Sequence, residues 1–328
     1  MVGSVKLKAA RKFIFSVILI IGSSLFAVAI AEVVLRVKNS SMKNYDIEMW
    51  RYAKELKYAS PDPVLGHEHI KGASALLQSV TIRTNEWGLR GGPVAQQPDG
   101  RRILFLGSSI TLGWGVSEDQ TVTAVLERML RAQGQKVEVL NGGIGNYNAE
   151  RYVELFQTRL KGLHPTDIVV MYFVRDAEKL DAGGGNWLLR NSELAVTAWI
   201  AASRLLQKTG EESLEEHYRA VYDETQPGYV AMKDSLSKLA SCARRHDIRV
   251  YLAMIPDIHK LANYPLGYIH ERMRRIAEDN GFRYVDTLPA FGQLSPDQVW
   301  AMPGDPHPNA LGHELMAKAL LPLLAADK

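Results

Sequence analysis

Residues 101–116 read "RRILFLGSSITLGWGV". A short apolar run follows the two arginines, and Gly107, Ser108 and Ser109 come directly after it. An apolar run that ends at glycine and hydroxyl residues is typical of a buried strand that leaves its sheet through a tight turn. Small residues at such a turn allow a ligand to approach the backbone, or a reactive hydroxyl group to face solvent.

Apolar strands and amphipathic helices alternate on the C-terminal side of this turn. The next segment, "DQTVTAVLERMLRAQ", places Val122, Val125, Leu126 and Met129 on one helical face. Four later segments have the length and apolar content of strands: "KVEVLN", "DIVVMYF", "RVYLAMI" and "RYVDTL". Repeated strand–helix units with apolar strands predict a parallel sheet that is covered by helices on both faces.

The segment before residue 101 is less regular. The spacing of Ile47, Trp50 and Leu56 predicts a helix within "NYDIEMWRYAKELKYA". Prolines and glycines predict a loop in "SPDPVLGHEHIKGAS". The alternation of apolar and polar residues in "LLQSVTIRTN" predicts one strand.

The composition is that of a globular protein. The chain has 328 residues, of which 46% are hydrophobic and 23% charged, and its formal net charge is +3. Four basic residues precede the first apolar run, so the remainder is nearly balanced and does not favour nucleic-acid binding. The single cysteine, Cys242, excludes an intrachain disulfide.

The N-terminal apolar run is long enough to cross a membrane. Phe13 to Ala31 contains 19 uncharged, mostly apolar residues, and a spanning helix needs ~20. Basic residues before the run favour a cytoplasmic N-terminus, so we expect a single-pass inner-membrane protein whose larger part is periplasmic. These residues are Lys6, Lys8, Arg11 and Lys12. The alternative is a cleaved signal peptide, because Ala27-Val28-Ala29 and Ala29-Ile30-Ala31 both fit a cleavage site.

These features divide the chain into three predicted parts. Residues 1–38 form a cytoplasmic tip and the membrane anchor, or an uncleaved signal. Residues 39–100 form a juxtamembrane region of helix, loop and strand, and residues 101–328 form the main α/β domain.

The glycine turn at residues 107–113 lacks three well-known signatures. It has neither the G-x-G-x-x-G of dinucleotide sites, nor the lysine of a P-loop, nor the G-x-S-x-G of α/β-hydrolases. The pattern Gly107-x-Ser109-x-Thr111 remains. It is compatible with a nucleophilic serine, but taken alone it favours a simple polar turn.

Two other predicted strand ends carry unusual residues. The first reads "NGGIGNYNAE", Asn141 to Glu150, where glycines permit positive φ and Asn148 can cap the next helix. The second is "GDPHPNALGH", in which Asp305 precedes His307 by two positions. Together with Ser109, these two residues form a candidate triad in the chain order Ser, Asp, His.

Four blocks of the sequence together resemble the SGNH (GDSL-type) hydrolases, in particular the membrane-anchored members that face the cell envelope. The blocks are "ILFLGSSITLGWGV", "VEVLNGGIGNYNAE", "DIVVMYFVRDAE" and "DPHPNALGH". The resemblance begins near Thr81 and continues to the C-terminal helix. It implies a flavodoxin-like three-layer α/β/α sandwich and an esterase, deacetylase or acyltransferase activity.

The resemblance also implies roles for individual residues. Ser109 matches the nucleophile, His307 matches the base, and Asp305 matches the acid that orients the base. The backbone donor to the oxyanion falls at or next to Asn146, with Gly145 adjacent to it.

The chain departs from the family pattern at three positions. Ser108 replaces the usual aspartate before the nucleophile, and Gly304 occupies the usual position of the acid. Arg175 replaces the asparagine that donates to the oxyanion. Arg175 can donate to the oxyanion or bind a carboxylate or phosphate of the substrate, or it can form a salt bridge with Asp176 or a nearby glutamate.

We therefore expect a serine ester hydrolase that acts on acyl or acetyl esters of an envelope glycan or lipid. The alternatives are an O-acyltransferase that modifies an exported polysaccharide with a membrane partner, and a non-catalytic glycan-binding domain. The implied chemistry needs no cofactor and no metal, and the short "HEH" at residues 67–69 is more typical of a surface loop than of a metal site. Trp114 and Tyr147 can stack on a sugar ring, although packing is as probable.

Overall fold

The computed structural model of the chain describes residues 2–40, 44–180, 186–207, 213–303 and 305–326. The chain divides into two compact units. One unit contains residues 1–47 and 184–210, and the other contains residues 48–183 and 211–328.

Helices and strands are numbered here in chain order. The helices are α1 (Val2–Asn39), α2 (Tyr45–Glu55), α3 (Ser109–Leu112), α4 (Val122–Ala132), α5 (Ala149–Leu155), α6 (Trp187–Asn191), α7 (Glu193–Gln207), α8 (Leu214–Val221), α9 (Pro227–Arg245), α10 (Gly267–Asp279), α11 (Leu288–Phe291), α12 (Pro296–Val299) and α13 (Ala310–Ala325). The strands are β1 (Lys57–Ala59), β2 (His67–His69), β3 (Ser74–Leu77), β4 (Val80–Arg83), β5 (Arg101–Gly107), β6 (Val137–Gly143), β7 (Asp167–Phe173), β8 (Arg249–Ile255), β9 (Arg283–Asp286), β10 (Trp300–Met302) and β11 (Asp305–Pro308). Short 3₁₀ turns lie at Glu118–Gln120, Lys161–Leu163 and Val174–Ala177, and a π turn at Phe156–Leu160 follows α5.

Five parallel strands form the central sheet, in the spatial order β6, β5, β7, β8, β9. Counted along the chain, these strands have the flavodoxin-like order 2-1-3-4-5. Residues 103–106 of β5 are fully buried, which explains their continuous apolar run, since a parallel sheet is covered on both faces.

Helices cover both faces of this sheet. On one face, Leu104 of β5 belongs to a core that also contains apolar residues of α5, α9 and α10. On the other face, Phe105 belongs to a second core with residues of α4 and α13. The predicted three-layer α/β/α sandwich is therefore confirmed.

Side-chain caps begin two of the helices that flank the sheet. The Thr121 side chain accepts the N–H of Ala124 at the start of α4. The Asn148 side chain accepts the N–H of Arg151 at the start of α5, as the sequence predicts. Each cap contributes about 1 kcal/mol to helix stability.

Two local predictions before residue 101 are wrong. The segment predicted as one strand is a hairpin of β3 and β4, which turns at Gln78 and Ser79 with φ of 49° and 65°. Positive φ at both positions is typical of a type I′ turn, which usually contains asparagine and glycine. Neither residue signals this turn, so the sequence favours an unbroken strand. The predicted loop around residues 67–69 contains β2, which pairs with β1.

The smaller unit contains α1, α6 and α7. Among the described residues, one helix is long and apolar enough to cross a membrane, and it covers Ala10–Asn39 of α1. A membrane span and a signal sequence both have these properties.

Candidate active site

Ser109 lies at the carboxyl end of β5. Gly107 ends this strand, and Ser109 is the first residue of α3. Gly107 is in register with Gly143 of the neighbouring strand β6. A Cβ atom at Gly143 would stand 2.1 Å from the backbone N of Leu112, so glycine lets α3 pack directly against β6.

A buried arginine fixes the other end of α3. The guanidinium of Arg90 donates hydrogen bonds to the carbonyl oxygens of Leu112, Gly113 and Val116. Burial lowers the pKa of Arg90 to about 10, so the group stays charged at neutral pH. These contacts hold the turn that carries Ser109.

The structure brings the three residues of the predicted triad together. Ser109 Oγ lies 2.7 Å from His307 Nε2, and His307 Nδ1 lies 2.5 Å from Asp305 Oδ1. Asp305 and His307 are two positions apart on β11, so their side chains point to the same side of the strand. This geometry explains how the acid can precede the base by two positions.

The Asp305 carboxylate is fully buried and hydrogen-bonded through both oxygens. Oδ1 accepts the backbone N–H of His307 as well as the ring contact. Oδ2 accepts hydrogen bonds from Gln78 Nε2 at 2.7 Å and from Trp114 Nε1 at 3.1 Å. Burial opposes ionisation, but the hydrogen bonds from His307 and Gln78 outweigh it and lower the pKa of Asp305 below its ordinary value. Asp305 is therefore ionised at neutral pH.

Gln78 is a site residue that the sequence analysis missed. It lies at the turn between β3 and β4, and its backbone N–H donates to Glu48 Oε2 of α2 at 2.8 Å. The side-chain amide then reaches Asp305. No motif or periodic pattern marks Gln78, because its role depends on a contact between distant parts of the chain.

The loop after β6 carries Asn146 in the left-handed conformation, with φ of 64°. Asparagine is one of the few residues with a side chain that adopts this conformation readily. Asn146 therefore fits a position at which the resemblance implies glycine. Among the described residues, no acceptor takes the backbone N–H of Asn146 or of Ser109, so both groups can bind a substrate oxygen.

Gly145 has a supporting role in this loop. Its N–H donates a hydrogen bond to the Tyr52 hydroxyl oxygen at 2.9 Å. Its carbonyl oxygen accepts a hydrogen bond from Lys57 Nζ, also at 2.9 Å. A Cβ atom at Gly145 would stand 2.5 Å from the Tyr52 ring. Because the Gly145 N–H is already bonded to Tyr52, Gly145 positions the loop, and the N–H of Asn146 is the candidate donor to a substrate oxygen. Burial, and to a lesser extent the charge of Arg151, lower the pKa of Lys57 to about 7.

The buried side chain of His69 is hydrogen-bonded to the Tyr52 hydroxyl group and holds it in place. His69 Nδ1 lies 2.8 Å from the Gly88 carbonyl oxygen, and its Nε2 lies 2.6 Å from the Tyr52 hydroxyl group. Burial lowers the pKa of His69 to about 4, so the ring is neutral and can accept from Tyr52. The prediction that residues 67–69 form a surface loop is therefore wrong.

Within the parts of the chain that the structure describes, no group of three His, Cys, Asp or Glu residues is placed to hold a metal ion.

The structure places Arg175 at the surface, in the turn after β7. Its guanidinium donates to Glu178 Oε2 at 3.2 Å, and the side chain is 57% exposed. The adjacent Asp176 is buried and accepts the N–H of Phe173. The salt bridge to a nearby glutamate, one of the two alternatives from the sequence, is thus present.

The two aromatic residues considered for sugar stacking, and His313 of α13, are interior residues. Trp114 and Tyr147 are both buried, and Tyr147 donates to the carbonyl oxygen of His67. Neither ring is placed to stack on a sugar. His313 is buried and accepts the N–H of Val122 at the start of α4. Gly304 lies outside the described residues.

Residues 105–315 match the model of the GDSL-like Lipase/Acylhydrolase family. The match covers more than half of the chain and includes the segments that carry Ser109, Asn146, Arg175 and His307. The chain therefore belongs to this family of acyl ester hydrolases. No curated protein matches the sequence.

Several solved structures are similar to this chain at low sequence identity. An α/β hydrolase enzyme from the metagenome of Lake Arreo, Spain, is 18% identical, and the similarity covers 69% of this chain and 95% of that chain with a TM-score of 0.45. An acetylxylan esterase from Geobacillus stearothermophilus is 17% identical over 70% of this chain and 95% of that chain, also with a TM-score of 0.45. Similarity of this degree carries no information about the substrate.

Proposed function

We propose that the protein hydrolyses acyl or acetyl esters with Ser109 as the nucleophile, His307 as the general base and Asp305 as the orienting acid. One observation carries this proposal: the continuous hydrogen-bonded chain from Ser109 Oγ through the His307 ring to the buried Asp305 carboxylate. Membership of the acylhydrolase family supports the reaction class.

The reaction proceeds in two halves. Ser109 Oγ attacks the ester carbonyl carbon while His307 Nε2 takes the hydroxyl proton, and Asp305 stabilises the imidazolium that forms. The bond to the alcohol then breaks, the alcohol leaves with the proton from His307, and the acyl group stays on Ser109. Water next gives a proton to His307 and attacks the acyl-enzyme, which releases the acid and restores the Ser109 hydroxyl group.

Two backbone N–H groups are the proposed donors to the tetrahedral oxyanion, those of Ser109 and Asn146. Each such donor lowers the barrier by roughly 2.7–4 kcal/mol in well-studied hydrolases. We assign Arg175, at the position of the family's asparagine, to the binding of an anionic group on the substrate. Its exposed guanidinium favours such a contact, since arginine binds carboxylates and phosphates in paired hydrogen bonds.

The N-terminal helix supports a function outside the cytoplasm. Its apolar length fits a membrane span, and the basic residues before it favour a cytoplasmic N-terminus. We propose that α1 anchors the protein in the inner membrane and that the larger unit is periplasmic. The esters accessible there are acylated glycans and lipids of the cell envelope.

The same acyl-enzyme also serves an O-acyltransferase. In that reaction a sugar hydroxyl group of an exported polysaccharide replaces water, and a membrane protein supplies the acyl group. The two activities differ in the acceptor and share the roles of Ser109, His307 and Asp305.

Acetate release from an acetylated glycan by the purified full chain tests the proposal. We expect release that falls about 10³-fold or more in Ser109→Ala. Release that does not depend on an added acceptor glycan identifies a hydrolase, and acetyl transfer to the acceptor identifies a transferase. Equal release by Ser109→Ala contradicts the assignment of Ser109 as the nucleophile. Binding of the glycan by the wild type with neither acetate release nor acetyl transfer also contradicts the proposal, and it favours a non-catalytic glycan-binding domain.

A further inference from the structure

The helices α6 and α7 lie between strand β7 and helix α8 in the chain. They belong to the same compact unit as the apolar helix α1. We refer to residues 187–207 as the α6–α7 hairpin.

Polar contacts join the α6–α7 hairpin to the C-terminal end of α1. The Glu32 carboxylate accepts the Ser192 hydroxyl group at 2.8 Å and the backbone N–H groups of Glu193 and Leu194 at 3.0 Å each. Glu32 therefore satisfies donors that the first turn of α7 leaves without helical partners.

Two further residues on the same side of α1 extend this contact. Arg36 donates to the carbonyl oxygen of Asn191 at 3.0 Å, and Asn39 Nδ2 donates to Glu193 Oε2 at 2.8 Å. Glu32, Arg36 and Asn39 follow one another at intervals of four and three residues, so they lie on one face of the helix. The hairpin is thus fixed at residues 32–39, directly after the apolar run ends at Ala31.

The α6–α7 hairpin exposes large apolar side chains. Trp187 is 76% exposed, Trp199 60% and Leu205 72%, and Leu188 is also exposed. Single exposed apolar residues are common in soluble proteins, but several within one short insertion, two of them tryptophans, indicate an interaction surface.

Geometry identifies the occupant of this surface. The apolar run from Phe13 to Ala31 contains 19 residues, and at ~1.5 Å per residue it spans about the thickness of the hydrocarbon core. Residues 32–39, which hold the hairpin, then lie at the level of the lipid headgroups. Tryptophan is enriched at that level, because its ring is apolar and its N–H is polar.

We propose that the α6–α7 hairpin is a second membrane-contacting element, which inserts Trp187, Leu188, Trp199 and Leu205 into the outer headgroup region where α1 leaves the bilayer. Its partner is the phospholipid surface. In the sequence, α1 precedes and the hairpin follows the strands that lead to Ser109 and Arg175, so the chain is attached to the bilayer before and after this segment. The inference depends on α1 spanning the bilayer and not on the proposed ester hydrolysis.

Quenching of tryptophan fluorescence by brominated lipids tests the inference. The full chain is reconstituted in phosphatidylcholine–phosphatidylglycerol vesicles with bromine atoms near the headgroup end of the acyl chains. We expect strong quenching of the wild type and loss of most of that quenching in Trp187→Phe/Trp199→Phe. The matched control is Trp87→Phe/Trp300→Phe, which removes two tryptophans of the larger unit and should retain the quenching. Phenylalanine at positions 187 and 199 keeps these exposed side chains apolar, and circular dichroism of both double variants checks that they are folded.

Flotation of the same vesicles separates the hairpin from the anchor. Both double variants should float with the lipid, because α1 is intact. If the chains float but Trp187→Phe/Trp199→Phe is quenched as strongly as the wild type, the hairpin does not contact lipid and the inference is wrong. Weak quenching of the wild type, together with cross-linking between copies through the hairpin, would instead identify a second copy of the chain as the occupant and also overturn it.

Discussion

The side-chain amide of Gln78 donates a 2.7 Å hydrogen bond to the carboxylate of Asp305, although the two residues are 227 positions apart in the chain. Gln78 lies outside the segment that matches the family, residues 105–315. Its backbone is in turn bonded to Glu48 of α2. The region before the family segment therefore supplies part of the support for the proposed triad.

Replacement of Gln78 by asparagine tests this support. Asparagine accepts positive φ more readily than glutamine, so the turn should keep its shape, but the shorter side chain cannot reach Asp305. We expect kcat to fall by about 10-fold or more, because a hydrogen bond to a charged group is lost, while KM stays nearly constant.

Ser79→Asn is the matched control for this experiment. Ser79 shares the turn and has φ of 65°, but it is exposed. The control should retain wild-type kinetics. A Gln78→Asn enzyme with unchanged kcat would show that Gln78 has no part in positioning Asp305.

Asn146 can be tested through its backbone conformation. Glycine at this position keeps the left-handed conformation, so Asn146→Gly should retain activity and change the free energy of unfolding by less than about 1 kcal/mol. Alanine is strained at a φ of 64°, and Asn146→Ala should lose roughly 1–2 kcal/mol of stability together with activity. Thermal unfolding and kcat/KM measure the two effects. Loss of activity in Asn146→Gly would indicate that the side chain, and not the backbone N–H, is the important group.

Arg175 is expected to affect substrate binding more than the chemical step. Arg175→Ala should raise KM for an ester with a carboxylate group and leave kcat for a neutral ester nearly unchanged, since an exposed ion pair such as that with Glu178 contributes little. Arg175→Lys should restore part of the affinity, and Glu178→Gln serves as the control for the ion pair. An equal loss of kcat with neutral and anionic esters would place Arg175 in the oxyanion site instead.

The buried amine of Lys57 predicts a pH dependence of stability. Its pKa is about 7 in the folded protein and ~10.4 in an unfolded chain. Between these values the unfolded chain binds more protons, so this group makes the protein more stable as the pH rises. Urea unfolding should therefore show that the wild type gains stability relative to Lys57→Met as the pH rises from about 7 to about 10. Lys54→Met, a change at an exposed residue of α2, should show no such trend, and an equal trend in both variants would contradict the assignment.

Much of the fold was predictable because of its buried strands. Residues 103–106 and the apolar residues of β7 and β8 are covered on both faces, so their sequences are continuously apolar and easy to recognise. The spatial order of the strands could not be predicted in this way, because periodicity does not specify which strands are neighbours. That order was expected from the resemblance of four separate blocks, and the observed sheet confirms it.

The candidate site was predictable only where its residues lie in those blocks. Ser109, Asp305 and His307 form a candidate triad by their order in the chain, and the resemblance of the blocks implies their roles. In the structure they are hydrogen-bonded to one another. Gln78 and Tyr52 were missed, because each contacts the site through a long-range hydrogen bond that the periodicity of its own segment does not indicate. Such contacts depend on tertiary structure and leave no local signal in the sequence.

Covalent labelling by a fluorophosphonate shows whether Ser109 is an activated nucleophile. The reagent reacts with a serine that is activated by a neighbouring base, and the mass of the labelled peptide identifies the site. We expect one adduct per folded chain, on Ser109, with none in Ser109→Ala and much slower labelling in His307→Ala. Folded wild-type protein that forms no adduct, or forms it on another residue, would contradict the assignment of Ser109 as the nucleophile.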